Sequence, residues 1–145
     1  MSWIQREAIR VNVPARNWQA AVRAAGKLLV KNHFVERRYI KGMIDTVKEL
    51  GPYIVIIPGV AMPHARPEMG VIKSGFSLIT LKKPVNFGNE DNDPVHVVIA
   101  FCATDHHAHI ESLRVLALRL SEETFVQDAC NAKDVDALAE ILLSA

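Results

Sequence analysis

The run V-H-V-V-I-A-F-C at residues 95–102 constrains the fold more than any other segment, because nearly every residue in it is apolar. Its β-branched and aromatic side chains favour a strand. A strand that is apolar on both faces must be covered on both faces. The run therefore predicts a central strand over residues 94–103, in a sheet with helices on its two sides.

The other periodic segments place helices before and after a group of strands. Apolar residues at helical spacing predict a helix capped by Asn17, a second one ended by Gly51 and Pro52, and three more near the C-terminus. The predicted helices are residues 17–32, 36–50, 108–120, 122–129 and 132–143, and the further strands are residues 9–13, 53–57 and 75–81. This order favours an α/β fold in three layers, a mixed β-sheet flanked by helices on both faces.

Length, charge and cysteine content limit the class of protein to which this chain can belong. The 145 residues contain no internal repeat or Gly/Ser linker, so we expect a single domain over residues 1–145. Because 17 Lys and Arg nearly balance 16 Asp and Glu, there is no electrostatic basis for binding nucleic acid or a membrane surface. No signal peptide or membrane-spanning run is recognisable, and Cys102 and Cys130 have no disulfide or metal spacing. These features predict a soluble protein of the reducing cytoplasm.

His64 lies between two prolines in the segment P-H-A-R-P, directly after an apolar run. Pro63 and Pro67 fix φ at their own positions and restrict the residues before them, and Gly59 permits a turn that a side chain would obstruct. The backbone direction at His64 is thus set in advance, which suits a nucleophile that must attack in line. Arg66 supplies a cation that can neutralise phosphoryl oxygens. On residue types alone, a loop histidine without a catalytic role stays open.

Three more histidines, His106, His107 and His109, follow the predicted central strand. Ligands gather at strand ends in α/β sheets, and a helix N-terminus favours anions, so this cluster and His64 can meet at one edge of the sheet. A metal site is an alternative interpretation. The cluster lacks the i, i+4 pair of a helical zinc site, and no HExxH motif or cysteine cluster accompanies it. We therefore expect no metal and no cofactor.

Several motifs together resemble one protein family. The segment G-V-A-M-P-H of residues 59–64 is similar to the G-x-x-A-x-P-H signature of mannitol/fructose-type enzyme IIA domains of the bacterial sugar phosphotransferase system (PTS). P-H-A-R-P-E from Pro63, the loop F-G-N-E-D-N-D-P-V up to Val95, and H-I-E-S-L from His109 resemble the ascorbate-specific branch more closely. The resemblance covers residues 39–120 and implies the same three-layer α/β sandwich.

The resemblance also implies roles for individual residues. By this likeness, His64 is phosphorylated through Nε2, receiving the phosphoryl group from the phosphocarrier protein HPr and passing it to a cysteine of enzyme IIB. His109 matches a second active-site histidine that hydrogen-bonds the phosphoryl group or orients the attacking ring. Mannitol-type members carry an arginine in the helix before the signature, and Thr46 stands at the nearest matching position. Arg66 is therefore our candidate for the compensating charge.

The leading hypothesis is a PTS phosphotransferase component that drives uptake of ascorbate or a related sugar through a membrane permease, IIC, which it serves indirectly. A regulatory module that reports phosphorylation to a transcription regulator is the alternative, and a metal-dependent hydrolase that uses the histidine cluster is a third. Substrate and oligomeric state, including a homodimer, stay open. Met62 and Met69 are either partner contacts or core residues, and Asp91 and Asp93 are interpreted as turn formers rather than an acid–base pair.

Overall fold

In the computed structural model, which describes residues 3–105 and 110–143, a mixed five-stranded β-sheet forms the centre of the fold. Its strands are β1 (Ile9–Val13), β2 (Val55–Ile57), β3 (Val60–Ala61), β4 (Gly75–Val85) and β5 (Val95–Cys102). Their order across the sheet is β1-β4-β5-β3-β2. The β1–β4 and β3–β5 pairs are parallel, and the β4–β5 and β2–β3 pairs are antiparallel. The apolar run is the middle strand, as its composition predicts.

Helices cover both faces of this sheet. They are α1 (Trp18–Lys31), α2 (Arg38–Leu50), α3 (Ile110–Leu120), α4 (Phe125–Asn131) and α5 (Val135–Leu143). Buried side chains of α1 and α2 form one apolar cluster with the sheet, and those of α3, α4 and α5 form a second. Successive residues of β5 alternate between them, since Val98 belongs to the first cluster and Ile99 to the second. The prediction of a three-layer α/β sandwich is confirmed.

Local signals explain where the first two helices begin and end. The Asn17 side chain accepts a hydrogen bond from the Ala20 N–H (2.8 Å), the N-cap that the sequence predicts. Gly51 ends α2 with φ +91°, a conformation that glycine adopts at little cost. Helices α2, α4 and α5 begin two or three residues later than their periodicity suggests, at Arg38, Phe125 and Val135.

The strand boundaries differ from prediction at three places. β2 begins at Val55 rather than Tyr53, because the Val55 N–H donates to the Pro52 carbonyl in a turn (3.2 Å). β4 extends to Val85, four residues past the predicted end at Leu81. The short β3 was not predicted, since a strand of two residues is too short to show alternation.

Two further expectations concern membrane helices and thiols. Among the described residues no helix combines the length and apolarity needed to cross a bilayer. Cys102 and Cys130 are free thiols, and Cys102 is fully buried in β5. Burial raises the pKa of the Cys102 thiol to about 12, so it stays protonated at physiological pH.

Candidate active site

The backbone around His64 continues the parallel pairing between β3 and β5. Ala61 lies opposite Val98 in this register, so three residues further on His64 falls opposite Phe101. The Phe101 N–H donates to the Pro63 carbonyl oxygen (3.1 Å), a bond that the same register requires. His64 therefore lies where both parallel strands end, the edge of an α/β sheet at which ligands bind.

The turn between β2 and β3 depends on Gly59. Its φ is +86°, and a Cβ there would lie 3.3 Å from a methyl group of Val126 and 3.5 Å from the His96 ring. Conformation and space both favour glycine, as predicted from the sequence. The Gly59 N–H donates to the Asn92 carbonyl oxygen (3.0 Å), which joins the turn to the polar loop before β5.

That polar loop, residues 87–94, is held together by Asp93. Its carboxylate accepts hydrogen bonds from three backbone N–H groups, those of Phe87 (3.0 Å), Gly88 (2.8 Å) and Asn89 (2.9 Å). The Asn92 side chain donates to the Val55 carbonyl oxygen of β2 (2.8 Å). The turn-forming role of Asp93 is confirmed, and the loop supports the β2–β3 hairpin that leads into His64.

Replacing Asp93 by alanine is expected to destabilise the fold, because three N–H groups lose a charged acceptor. We expect a loss of about 2–3 kcal/mol in the free energy of unfolding and a decrease of roughly 5–10 °C in Tm. Asp91→Ala is the matched control, since Asp91 is exposed and its side chain makes no hydrogen bond to the described residues. Urea and thermal unfolding measure both variants, and equal stability for the two would contradict the role given to Asp93.

One ring nitrogen of His64 is fixed by the backbone. Nδ1 lies 2.9 Å from the Met62 carbonyl oxygen. Because a carbonyl oxygen only accepts hydrogen bonds, Nδ1 carries the proton of the neutral imidazole in this contact. The lone pair of the neutral ring is then on Nε2.

Two aromatic rings restrict the orientation of the half-buried His64 side chain. The Phe101 ring lies at 4.8 Å between centroids and is tilted by 34°, and the Tyr53 ring meets the imidazole edge-on at 6.0 Å. No sequence motif identifies these two aromatic residues as part of the site. The strand register that places Phe101 opposite His64 depends on tertiary pairing. The predicted end of the central strand near residue 103 was the signal in the sequence for a residue close to His64.

Two arginines near the signature differ in their contacts. Arg66 is exposed, and its side chain forms no hydrogen bond or ion pair with any described residue. Arg38 is engaged, because its Nε bonds Glu36 (2.8 Å) and its Nη1 donates to the Glu68 carbonyl oxygen (2.8 Å). Arg66 is thus an exposed cation two residues from His64 in the sequence. Thr46 donates its hydroxyl to the Gly42 carbonyl within α2 (2.8 Å) and supplies no charge.

The predicted helper residue His109 lies outside the described residues, as do His106 and His107. The chain is described up to Asp105, three residues after β5 ends, and again from the start of α3 at Ile110. Within residues 3–105 and 110–143 no three His, Cys, Asp or Glu side chains form a group that could hold a metal ion. The proposed role of His109 therefore remains a prediction.

The two methionines near the signature have different environments. Met62 is 8% exposed and packs in the apolar cluster of α3, α4 and α5, so it fills the core rather than contacting a partner. Met69 is 36% exposed and Tyr53 46% exposed. The latter two leave apolar surface on the segments before and after His64.

Comparison with known proteins places this chain in one family. The family model described as "Phosphoenolpyruvate-dependent sugar phosphotransferase system, EIIA 2" matches residues 2–145. The ascorbate-specific PTS system EIIA component of Escherichia coli (strain K12) is 46% identical over 126 residues, which cover 86% of this chain and 82% of that protein. The chain belongs to the EIIA 2 family of this phosphotransferase system and is a phosphotransferase component.

Solved structures agree with this assignment. The solution structure of the mannitol-specific cryptic phosphotransferase enzyme IIA CmtB from Escherichia coli has a TM-score of 0.85 at 34% identity, covering 97% of this chain and 95% of that one. The enzyme IIA of the Escherichia coli complex of IIAMTL with phosphorylated enzyme IIBMTL also has a TM-score of 0.85, at 27% identity, over the full length of both chains. The fold is that of mannitol-type IIA proteins.

Proposed function

We propose that His64 is the phosphoryl acceptor and that Nε2 is the atom that bonds to phosphorus. The hydrogen bond from Nδ1 to the Met62 carbonyl (2.9 Å) carries this proposal, because it leaves the lone pair on Nε2. The contacts with Phe101 and Tyr53 hold the ring in one direction. A fixed nucleophile loses little orientational freedom on reaching an in-line transition state.

The reaction consists of two transfers. In the first, Nε2 attacks the phosphorus of phosphohistidine on HPr, the new Nε2–P bond forms, and the N–P bond of HPr breaks. In the second, a cysteine thiolate of enzyme IIB attacks the same phosphorus, and His64 leaves with its lone pair on Nε2. The structure of the related IIAMTL with phosphorylated IIBMTL supports IIB as the second partner. Phosphorus passes through a loose transition state in such reactions, so alignment and charge compensation are the main requirements.

Charge compensation is assigned to Arg66 and His109. A phosphorylated imidazole adds about two negative charges near neutral pH, as other phosphoryl groups do. Arg66 is exposed two residues from His64 and unengaged by the described residues, which makes its guanidinium available to phosphoryl oxygens. His109 directly precedes α3, on the chain that leaves the strand beside His64. We propose that its imidazole hydrogen-bonds the phosphoryl group.

The relatives support a proposal for the transported sugar. Ascorbate is the sugar named for the Escherichia coli relative with 46% identity, so we propose that this chain serves uptake and phosphorylation of ascorbate or a related sugar through IIB and the IIC permease. This role places the protein in the cytoplasm, in keeping with its free thiols. We also propose that residues 1–145 form a single EIIA domain, because both apolar clusters pack on the same sheet.

Reconstitution tests the proposal. The purified chain is incubated with enzyme I, HPr and phosphoenolpyruvate, and intact mass is measured before and after addition of IIB. We expect one acid-labile, base-stable phosphoryl group on the chain, which moves to IIB. No gain in mass where a control IIA is phosphorylated would contradict the function, and phosphorylation without transfer to IIB would favour the regulatory alternative.

Replacing His109 by alanine is expected to separate the two transfers. Acceptance from phospho-HPr should continue at a reduced rate, because His64 remains the nucleophile. Transfer to IIB should decrease more, by about tenfold, because a hydrogen bond to the phosphoryl group is lost. Quench-flow measurement of each step, with His33→Asn as the control, checks this result. Unchanged kinetics in both steps would remove His109 from the site.

A further inference from the structure

The hydroxyl group of Tyr39 lies beside the backbone of the phosphoryl acceptor. Tyr39, the second residue of α2, is fully buried. Its oxygen accepts a hydrogen bond from the Ala65 N–H (2.9 Å) and donates to the Phe101 carbonyl oxygen (2.9 Å), with the Ala65 carbonyl oxygen also within 3.2 Å. Burial raises the pKa of Tyr39, so the hydroxyl keeps its proton.

The Tyr39 hydroxyl replaces one backbone hydrogen bond between the chain after β3 and the end of β5. In a parallel ladder, the residue opposite His64 donates to the residue before His64 and accepts from the residue after it. Phe101 makes the first bond, to the Pro63 carbonyl (3.1 Å). The second bond, from the Ala65 N–H to the Phe101 carbonyl, is replaced by two. The Ala65 N–H donates to the Tyr39 oxygen, and the Tyr39 hydroxyl donates to the Phe101 carbonyl. The hydroxyl therefore separates the two strands immediately after His64.

We propose that Tyr39 is a positioning residue for phosphoryl transfer, whose hydroxyl sets the separation and direction of the His64 backbone relative to Phe101. This inference rests on the proposed role of His64. A direct Ala65–Phe101 bond would draw the two backbones together. The imidazole, which the Phe101 ring contacts at 4.8 Å, would then turn with its backbone. Tyr39 itself touches neither phosphorus nor partner.

Removal of the hydroxyl tests the inference with little change in volume. For Tyr39→Phe we expect transfer from phospho-HPr at saturating HPr to slow by about tenfold to a hundredfold, the range that a misplaced nucleophile produces. KM for HPr should change by less than about twofold, because the partner surface is unaltered. The ¹⁵N and ¹H resonances of the His64 ring should also shift, since the contact of Nδ1 with Met62 is disturbed.

Ser77→Ala is the matched control. The Ser77 hydroxyl is fully buried and donates to the Ala25 carbonyl oxygen (2.7 Å), so this variant also loses one buried hydroxyl bond, but one that joins β4 to helix α1. It should lower stability while leaving the transfer rate and the His64 resonances unchanged. Equal rates and equal His64 resonances for Tyr39→Phe and wild type would overturn the positioning role. Absence of transfer to His64 in the wild-type protein would overturn the proposed function as well.

A second substitution covers the case in which Tyr39→Phe does not fold. Tyr39 and Tyr53 are the two tyrosines of the chain, so biosynthetic 3-fluorotyrosine in a Tyr53→Phe background labels Tyr39 alone. Fluorine makes the hydroxyl a better donor and a poorer acceptor without removing it. We expect an altered transfer rate and shifted His64 resonances relative to unlabelled Tyr53→Phe. No change in either would contradict the inference.

Discussion

Replacing His64 by alanine is expected to abolish phosphorylation, so that no acid-labile phosphoryl group is detected on the chain. The variant has no Nε2 to form the bond to phosphorus, and the guanidinium of Arg66 is always protonated and not a nucleophile. The fold should persist, because the half-buried imidazole makes one hydrogen bond, to the Met62 backbone, and two ring contacts. Intact mass after incubation with enzyme I, HPr and phosphoenolpyruvate measures the loss, and circular dichroism measures the fold.

His33→Asn is the control for this result. His33 follows α1 with φ +63°, a conformation that asparagine also tolerates, so the variant removes an imidazole without strain. It should accept one phosphoryl group as the wild type does. If His64→Ala still gained one acid-labile group, another residue would be the acceptor, and tandem mass spectrometry at neutral pH would identify it.

Arg66→Ala is expected to produce the second-largest loss, a decrease of about tenfold to a hundredfold in the rate of transfer from phospho-HPr. This range corresponds to one charge-assisted hydrogen bond of about 1.5–3 kcal/mol in the transition state. Two negative charges beside an apolar strand end are poorly accommodated without a facing cation. The guanidinium is exposed and unengaged by the described residues, so its removal should cost little stability. Quench-flow kinetics with radiolabelled phospho-HPr measures the effect.

Two further variants define the role of this cation. Arg66→Lys keeps the charge but loses the planar fork of donors, so an intermediate defect is expected. Arg23→Ala removes an exposed arginine from α1, in a cavity that it lines with Arg10 and Lys27 at the β1 edge, and should have no effect. A rate for Arg66→Ala within about twofold of wild type would show that the compensating charge comes from elsewhere.

Much of the fold could be predicted because its signals are local. The apolar run of β5, the Asn17 cap and Gly51 each act within a few residues, and all three appear where the sequence places them. β3 could not be found in this way, since its two residues form a strand by pairing with β2 and with β5, and β5 is distant in sequence. The extension of β4 to Val85 likewise depends on the pairing of Val85 with Val95.

The candidate site also has features that local sequence predicts and features that depend on tertiary packing. The prolines around His64 and the positive φ of Gly59 follow from covalent geometry, so a histidine with a fixed backbone was predictable. The rings of Tyr53 and Phe101 contact the His64 ring, and the hydroxyl of Tyr39 contacts the next residue, Ala65, from three different segments of the chain. No spacing in one sequence encodes such contacts, because tertiary packing brings them together.

The bond from His64 Nδ1 to the Met62 carbonyl favours a reversible relay. A contact shifts an equilibrium only by the difference in its free energy between the two states. In the proposed cycle Nε2 gains and loses phosphorus while Nδ1 keeps its proton, so the phosphorylated ring is an imidazolium whose Nδ1–H donates more strongly to the Met62 carbonyl. The ring also needs no flip between accepting and giving. His64 therefore leaves as a neutral imidazole whichever partner takes the phosphoryl group, and this common leaving group is what makes the transfer reversible.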